Sequence, residues 1–364
     1  MTSQTAPGTP APLRYGIIIA NTGTPTAPTP DAIRVYLRQM LMDPYLINCP
    51  RPIWKPILER FILPTRPERT APRYRSIWTP EGSPFMLDSL AQQRLLQIEL
   101  ARRGLDIPVE LGMRYGEPSL ATATDRLIER GCNAVLLIPL FPQQAQVTTA
   151  SCIEEFERAV ATRTLAETRT VTRYCDRPAY IRALADSIRQ AAPHRPGSKL
   201  LFTYHSTLVK DIERGDPYNA QCWETARLTA QELGLSGSDW TCSFHSRFDS
   251  RKWVGPEADV VLTQWANEGV NDVAVVSPSF AADCLETLVD IAIEQRGLFL
   301  EAHRAAHPDG PAASFTYVPC LGRRSDHIAL LADVATDALA DRLADARVSE
   351  EKTALDLIEQ AAAC

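Results

Sequence analysis

No run of about 18 uninterrupted apolar residues occurs in this sequence, so nothing in it has the length of a membrane-crossing helix. There is no Gly-x-Gly-x-x-Gly opening a helix and no Gly-Lys-Ser/Thr loop, which removes the usual backbone cradles for nucleotide phosphates. A Gly-x-Ser-x-Gly elbow is missing too, and with it that kind of serine nucleophile. Basic residues are not in excess: 38 Lys and Arg against 44 Asp and Glu leave a net charge of −6, which argues against nucleic-acid binding through bulk positive charge. Nine cysteines are present, but neighbours along the chain are never closer than 20 residues apart. Without a Cys-x-x-Cys there is no local support for a zinc ribbon or a compact iron–sulfur motif. Their odd number, with no basic-then-apolar leader, fits reduced thiols and a cytoplasmic protein.

With 364 residues, and roughly 150 residues per domain, the chain is long enough for two domains. Thirteen of the 28 prolines fall within the first 72 residues, so that region reads as turns and short elements. Beyond it, short β-branched apolar runs alternate with helical patterns, the signature of βαβ units and parallel sheets. Buried strands are expected at Tyr15–Ala20, Val109–Met113 and Ala134–Leu140, and again at Lys199–Tyr204, Thr241–Phe244 and Val273–Val276. The stretch Asn133-Ala-Val-Leu-Leu-Ile-Pro is echoed by Asn271-Asp-Val-Ala-Val-Val-Ser-Pro, 138 residues later. The expected fold class is therefore α/β, with two halves whose parallel sheets face a central cleft. In such sheets ligands bind outside the carboxyl ends of the strands. Ser325 is expected to cap a last helix running to about Ala346. Residues 1–13 read as a disordered leader and 347–364 as a tail.

The strand ends carry the reactive side chains. His205 closes an apolar strand and is followed by Ser206; an imidazole there either is a hydrogen-bonded structural residue or accepts protons or ligates a metal near neutral pH. His245 closes a second strand in the equivalent place, with the same alternatives. Asp283, Glu286, Asp290 and Glu294 follow the strand at Val273–Val276. On a helix, positions 286, 290 and 294 form one carboxylate ladder, and no Lys or Arg between 283 and 295 offsets it. That ladder is either a solvated acidic face or a run of ligands for a hard divalent cation. Together His205, His245, Asp283, Glu286, Asp290 and Glu294 make a candidate transition-metal set. Arg75, Arg114 and Tyr115 are candidates for holding a substrate carboxylate. The apolar, basic-flanked segment Leu46 to Pro64, with Trp54, Ile57, Leu58, Phe61 and Ile62, is either core or a lip for a large flat ligand or a membrane surface.

These residues stand in motifs that resemble, in order and spacing, those of the ferrochelatases, which insert ferrous iron into a porphyrin. The matching stretches include Asn21-Thr-Gly-Thr-Pro25, Asp43-Pro44, Gly82-Ser-Pro84, Met113-Arg-Tyr-Gly116 and His205-Ser206. They continue with Arg214-Gly-Asp-Pro-Tyr218, Ser246-Arg247 with Trp253, and Asp283-x-x-Glu286-Thr-Leu288. The resemblance implies Rossmann-like domains at about 14–165 and 166–324, with the helix from about 325 to 346 packing back on the first. It implies a porphyrin in the cleft, His205 and Glu286 as catalytic residues, and Asp290 and Glu294 along an acidic path to the surface. Thr22, Ser246, Trp253 and Phe280 fall with Arg114 and Tyr115 at pocket positions. The implied substrates are protoporphyrin IX and Fe2+, with iron as a substrate and no prosthetic group.

Three departures accompany the resemblance. Leu208 stands where family members usually have Pro, His245 replaces a usual Gln, and Thr22 replaces a bulkier residue near the ring. The closely spaced C-terminal cysteines that hold an iron–sulfur cluster in some members are missing, so no cluster is expected. Coproporphyrin as the ring, or cobalt as the metal, is the alternative among enzymes, and a tetrapyrrole or metal carrier the alternative outside them. Peripheral contact with the inner membrane through the apolar lip, and contact with the preceding haem-pathway oxidase, complete the expectations.

Overall fold

A computed structural model describes residues 12–247 and 250–344. The expected leader thus falls almost wholly, and the expected tail wholly, outside the described residues. The chain forms two four-stranded parallel sheets, ordered β2-β1-β3-β4 and β6-β5-β7-β8, so the second repeats the strand order of the first. The first comprises β1 (Tyr15–Asn21), β2 (Val109–Met113), β3 (Ala134–Pro139) and β4 (Glu167–Thr170). The second comprises β5 (Lys199–His205), β6 (Trp240–His245), β7 (Asp272–Val276) and β8 (Ser314–Val318). The six expected strands are all present. Every residue of β1 and β3 is buried, as a strand covered by helices on both faces must be. Successive side chains point to opposite faces. Ile17 and Ile19 join Leu96, Leu100, Leu331 and Val334 on one side of the first sheet, while Ile18 meets Leu120, Leu127 and Phe156 on the other.

The two strands that patterning missed, β4 and β8, are sheet edges with mixed burial. The sequence Glu167-Thr-Arg-Thr170 has no apolar member. Because β4 pairs in parallel with β3, the division expected after residue 165 comes one strand too early. Residues 12–72 also differ from expectation, for about half of them are helical. Helices α1 (Pro30–Leu41), α2 (Arg51–Ile57), α3 (Arg66–Ile77) and α4 (Pro84–Arg102) each carry a proline in the first turn, where its missing N–H has no intrahelical partner to lose. Prolines there start helices instead of breaking them. Helix α2 runs on as a π-helical turn, Leu58–Ile62.

The last helix, Ser325–Ala338, begins at Ser325 itself, with Arg324 in the cap position and no side-chain cap. Its regular course breaks at Leu339, short of the expected 346, before a further turn at 340–344. Its apolar side lies against α4 in the same core cluster, and Arg103 donates to Asp333 at 2.7 Å beside it.

The loop after β7 ties the halves together. The Gln92 amide donates to the carbonyls of Ala281 (2.7 Å) and Gly322 (3.0 Å), and Leu285 packs with Tyr36, Tyr74 and Tyr115 of the first half. The strand ends of both sheets, and the loops that follow them, therefore meet across one cleft.

Candidate active site

At the first half's strand ends, the chain turns sharply after β1. Gly23 has φ +106°, and a Cβ there would lie 1.9 Å from the Tyr115 carbonyl oxygen, so only glycine fits. Close approach lets the Tyr115 N–H donate to the Thr22 carbonyl at 2.8 Å, clamping the β1 and β2 ends together. Thr22 is half-buried beside this clamp.

Arg114 and Tyr115, expected to face substrate, are engaged elsewhere. The fully buried carboxylate of Asp43 accepts from Arg114 Nη2 at 2.7 Å, from the Tyr115 hydroxyl at 2.5 Å, and from the Ser151 hydroxyl. Its other oxygen accepts the Tyr45 N–H at 2.9 Å, and Arg114 Nε donates to Ser151 Oγ at 2.7 Å. Burial first, and the Asp43 charge second, push the Tyr115 phenol above its ordinary range. This pair is anchored on Asp43, and Arg114 Nη1 also lies 3.6 Å from Glu155 Oε2. Asp43 is the residue that spacing could not identify, although Asp43-Pro44 belongs to the motif set.

Arg75 is exposed on α3. Two residues apart on a helix is about 200° around the axis, so Arg73 points the opposite way, into the acidic ladder.

The second half's strand ends differ. His205 and His245 are paired in register on β5 and β6, with ring centroids 6.0 Å apart. His205 is half-buried, and its Nδ1 lies 2.8 Å from the Ser206 carbonyl oxygen. A carbonyl only accepts, so Nδ1 carries a proton here. His245 is buried, stacks on half-buried Phe280 at 6.1 Å and shares a hydrogen bond with Thr203 Oγ1 at 2.9 Å. Burial, reinforced by His205, pushes the His245 pKa well down. Its Nε2 is buried with no hydrogen-bond partner. His245 is thus buried beside the half-buried His205.

The carboxylates line a π-helical segment, Glu286–Gln295. Such i→i+5 segments are rare and frequent at functional sites. Asp283 sits before it as an anchor: its Oδ1 accepts the Tyr317 hydroxyl (2.5 Å), the Thr287 hydroxyl (3.2 Å) and the Cys320 N–H (3.3 Å). Glu286 is half-buried against the first half, where its charge adds to burial in raising the Tyr36 and Tyr74 phenols. Asp290 is one-fifth exposed and Glu294 more than half, so the ladder runs outward from the cleft. Asp290 Oδ2 accepts the Ser246 hydroxyl at 2.7 Å, and Ser246 holds a left-handed φ of +63° to reach it. The dipeptide His245-Ser246 thus joins the histidine pair to the ladder.

The ladder is also not free of positive charge, as its own sequence implied: Arg73 from α3 donates to Asp290 and lies 3.2 Å from Glu294. Among the described residues no three His, Cys, Asp or Glu side chains are placed to hold a metal ion. The six-residue set is therefore spread along a route and does not form one centre.

Trp253 is half-buried, with the Arg251 guanidinium 5.7 Å from its ring centre. Its backbone bridges to Leu208. That bridge uses the Val209 N–H (to Lys252, 3.0 Å) and the Thr207 carbonyl (from Val254, 2.9 Å), leaving the Leu208 N–H outside it. Leu208 has φ −71° and ψ 135°, within the range proline prefers, so the turn keeps a proline-compatible shape with Leu in place.

The lip is rearranged relative to expectation. Ile53, Ile57 and Phe61 are exposed, by 59%, 39% and 68%. Leu58 is buried and the Trp54 indole donates inward to the Leu41 carbonyl at 2.6 Å. Position on the helix, not hydrophobicity, decides which of these residues face out. A surface concavity of about 540 Å³ beside them, lined by Met42, Arg51, Pro52, Lys55, Pro56 and Glu59, contains none of the expected site residues. No described helix is long and apolar enough to cross a membrane.

Comparison with known proteins agrees with this geometry. In shape the chain resembles SirB from Bacillus subtilis with Fe3+, at a TM-score of 0.53 and 11% identity, covering 90% of this chain and 97% of that one. That likeness speaks to the fold. In sequence it is 42% identical over 317 residues to a ferrochelatase of Azoarcus sp. (strain BH72), spanning 86% of this chain and 85% of that protein. It is 39% identical over 329 residues to a ferrochelatase of Aeromonas hydrophila, spanning 90% and 99%. The sequence profile of the Ferrochelatase family matches residues 14–339, nearly the whole described structure, and the chain belongs to that family.

Proposed function

We propose that this protein inserts ferrous iron into protoporphyrin IX, forming protohaem and releasing two protons. The observation that carries the reading is the place of His205. It stands half-buried at the carboxyl end of β5, beside His245 and with its Nδ1 oriented by the Ser206 carbonyl, where a macrocycle lying between the halves would present its pyrrole N–H groups. Glu286, half-buried at the start of the π segment, is suited to pass protons onward. The graded exposure of Asp290 and Glu294 suits an ion that sheds water as it moves inward. A rigid wall serves the same end, because bending a flat ring exposes its lone pairs and N–H bonds to attack. The fully bonded Asp43 network and the stacked His245–Phe280 pair supply that rigidity. Iron is a substrate here and the proton acceptors are side chains, so the reading requires no prosthetic group and no iron–sulfur cluster.

The test is anaerobic metallation followed by absorbance with Fe2+ and either protoporphyrin or coproporphyrin. Turnover preferring protoporphyrin, lost in His205→Ala, supports the reading. Preference for coproporphyrin changes the ring, and tight ring binding without turnover makes the protein a carrier.

The exposed row Ile53, Ile57 and Phe61, flanked by Arg51, Lys55 and Arg60, supports peripheral contact with a membrane in which apolar substrate partitions. Co-sedimentation with anionic liposomes should fall when Ile53 and Phe61 become Ser. Unchanged binding would end that part of the proposal.

A further inference from the structure

One fully buried amide joins the two halves. Gln92 lies on α4, inside the core of the first half, with none of its surface exposed. Both hydrogens of its Nε2 go to the second half, one to the Ala281 carbonyl at 2.7 Å and one to the Gly322 carbonyl at 3.0 Å. Those carbonyls belong to different loops, the one after β7 and the one after β8. The loops are also bonded to each other, since the Gly322 N–H donates to the Ala281 carbonyl at 3.0 Å. Carbonyls only accept, so the orientation of the amide is fixed. Its Oε1 is left over, buried and with no hydrogen-bond partner. An unpaired buried acceptor is unfavourable. Packing alone therefore does not account for an amide here, where Leu96 and Leu100 follow on the same face of the helix.

What the amide holds is the segment that lines the cleft. Ala281 follows Phe280, which stacks on His245 at 6.1 Å, and precedes Asp283 and Glu286. Nearer its start the same loop takes another bond, from the buried Tyr180 hydroxyl to the Pro278 carbonyl. The Gly322 carbonyl is held again by buried His327, whose Nδ1 lies 2.8 Å away. One turn before Gln92, Asp88 reaches the loop after β8 and pairs with Arg323 Nη2 at 2.7 Å. Helix α4 thus meets both loops along one face, and Gln92 is its bond to the loop that carries Phe280 and Glu286.

From this we infer that Gln92 is a positioning residue for metal insertion, acting through the segment from Phe280 to Glu286. It fixes the place of that segment, and of the His245–Phe280 stack, relative to the first half. A flat ring is bent only if what it presses on holds its place, and the bend exposes its N–H groups and lone pairs. Without the amide both loops lose their bond to α4, and the Phe280 side of the cleft yields to the ring. The ring still binds, because its apolar contacts remain, but it lies flatter. This inference rests on the iron-insertion reading and adds to it the residue that sets the spacing of the cleft.

The test compares wild type, Gln92→Met, Gln92→Asn and Leu96→Ala in the full chain. Met keeps the length and removes the donors, while Asn keeps the amide but is one methylene too short to reach both loops. Leu96→Ala loosens the core of the same helix without removing either bond, and controls for lost stability. Metal-free protoporphyrin or coproporphyrin, whichever binds the tighter, is read by resonance Raman, where out-of-plane ring modes report the bend. The expected result is strong out-of-plane modes in wild type and Leu96→Ala, and weaker ones in both Gln92 variants. In steady-state metallation kcat should fall about 10–100-fold in Gln92→Met, the scale of a misplacement near 1 Å, with KM for the porphyrin little changed. Out-of-plane modes and kcat unchanged in Gln92→Met, with only a lowered melting temperature, would make Gln92 a brace and overturn the inference. Equal losses in Leu96→Ala would overturn it too, since any destabilisation would then suffice. Should Gln92→Met fail to fold, Gln92→Asn decides on the same two readouts. A wild type that metallates no ring sinks the enzyme reading, and the Raman series on the bound ring then decides the role of Gln92. A wild type that binds no ring overturns both.

Discussion

The two halves share a sheet order yet have arranged the ends of their strands in opposite ways. In the first half, the polar groups at the cleft are bonded to one another. Asp43 takes up Arg114, Tyr115, Ser151 and the Tyr45 N–H, and the Gly23 turn closes on Tyr115. In the second half, His205 stands half-buried at a strand end, His245 keeps a buried nitrogen unpartnered beside it, and the carboxylates step out to solvent. Where a buried charge is held by several donors at once, the structure is stiff. Where side chains that carry protons or charge stand part-exposed, they are within reach of a substrate proton or ion. One half is the frame and the other the working face. The same topology serves both, which is why fold alone does not say which half reacts.

The largest effect that would break this comparison lies at His205. Replacing it with Ala should lower metallation by about 10²–10⁴-fold, the usual contribution of a positioned general base, with ring binding retained. Single-turnover absorbance separates the two, and an unaffected rate would remove the working face from the second half.

The frame is tested through stability. Asp43→Ala leaves the Arg114 charge buried without its carboxylate, and should destabilise by about 3–5 kcal/mol in denaturant unfolding. A change below about 1 kcal/mol would mean the network is not the support described here.

His245 gives a pH signature. Its folded pKa is depressed by burial and by the facing His205, while the unfolded value is near 6.5. Below that unfolded value the unfolded chain binds the proton first, so stability is full above about pH 6.5 and is lost as pH falls towards the folded pKa. The loss approaches about 1.4 kcal/mol per pH unit for one group. His327, buried and likewise depressed, contributes in the same direction. His245→Gln should therefore flatten the acid limb of the unfolding free energy by one proton's share, with iron turnover kept. A limb that stays as steep would assign it to His327 and other groups.

The smallest expected effect is at Leu208, where Leu208→Pro should stabilise by about 0.4–1 kcal/mol, because φ is already −71° and the bridge does not use its N–H. Destabilisation would show that the turn depends on a contact of the Leu side chain or its N–H.

Much of this was legible along the chain. Buried strands such as Tyr15–Asn21 and Ala134–Pro139 are continuous apolar runs that can only lie inside a covered sheet, and the echo at Asn133 and Asn271 announced the duplication. His205, Glu286 and the ladder were placed by motif order. Strands β4 and β8 were not legible, because they are only partly buried and carry no continuous apolar run. Nor was the helical character of the proline-rich start, since a proline opens a helix or breaks one according to its position within it.

What the sequence determined by itself is the identity and order of reactive groups: which residues end each strand, and that carboxylates recur every four positions. Those follow from covalent spacing and from hydrophobic periodicity, which are local. Only the tertiary structure decided which of those groups are occupied. Arg114 and Tyr115 looked available and are engaged by Asp43, 71 and 72 residues away. The ladder looked unopposed and meets Arg73, 217 residues from Asp290. Asp283 looked like a ligand and is an anchor for Tyr317 and Cys320. Charge and hydrogen-bond capacity belong to a residue, but their satisfaction depends on what packing brings within about 3 Å, and no spacing along the chain contains that distance.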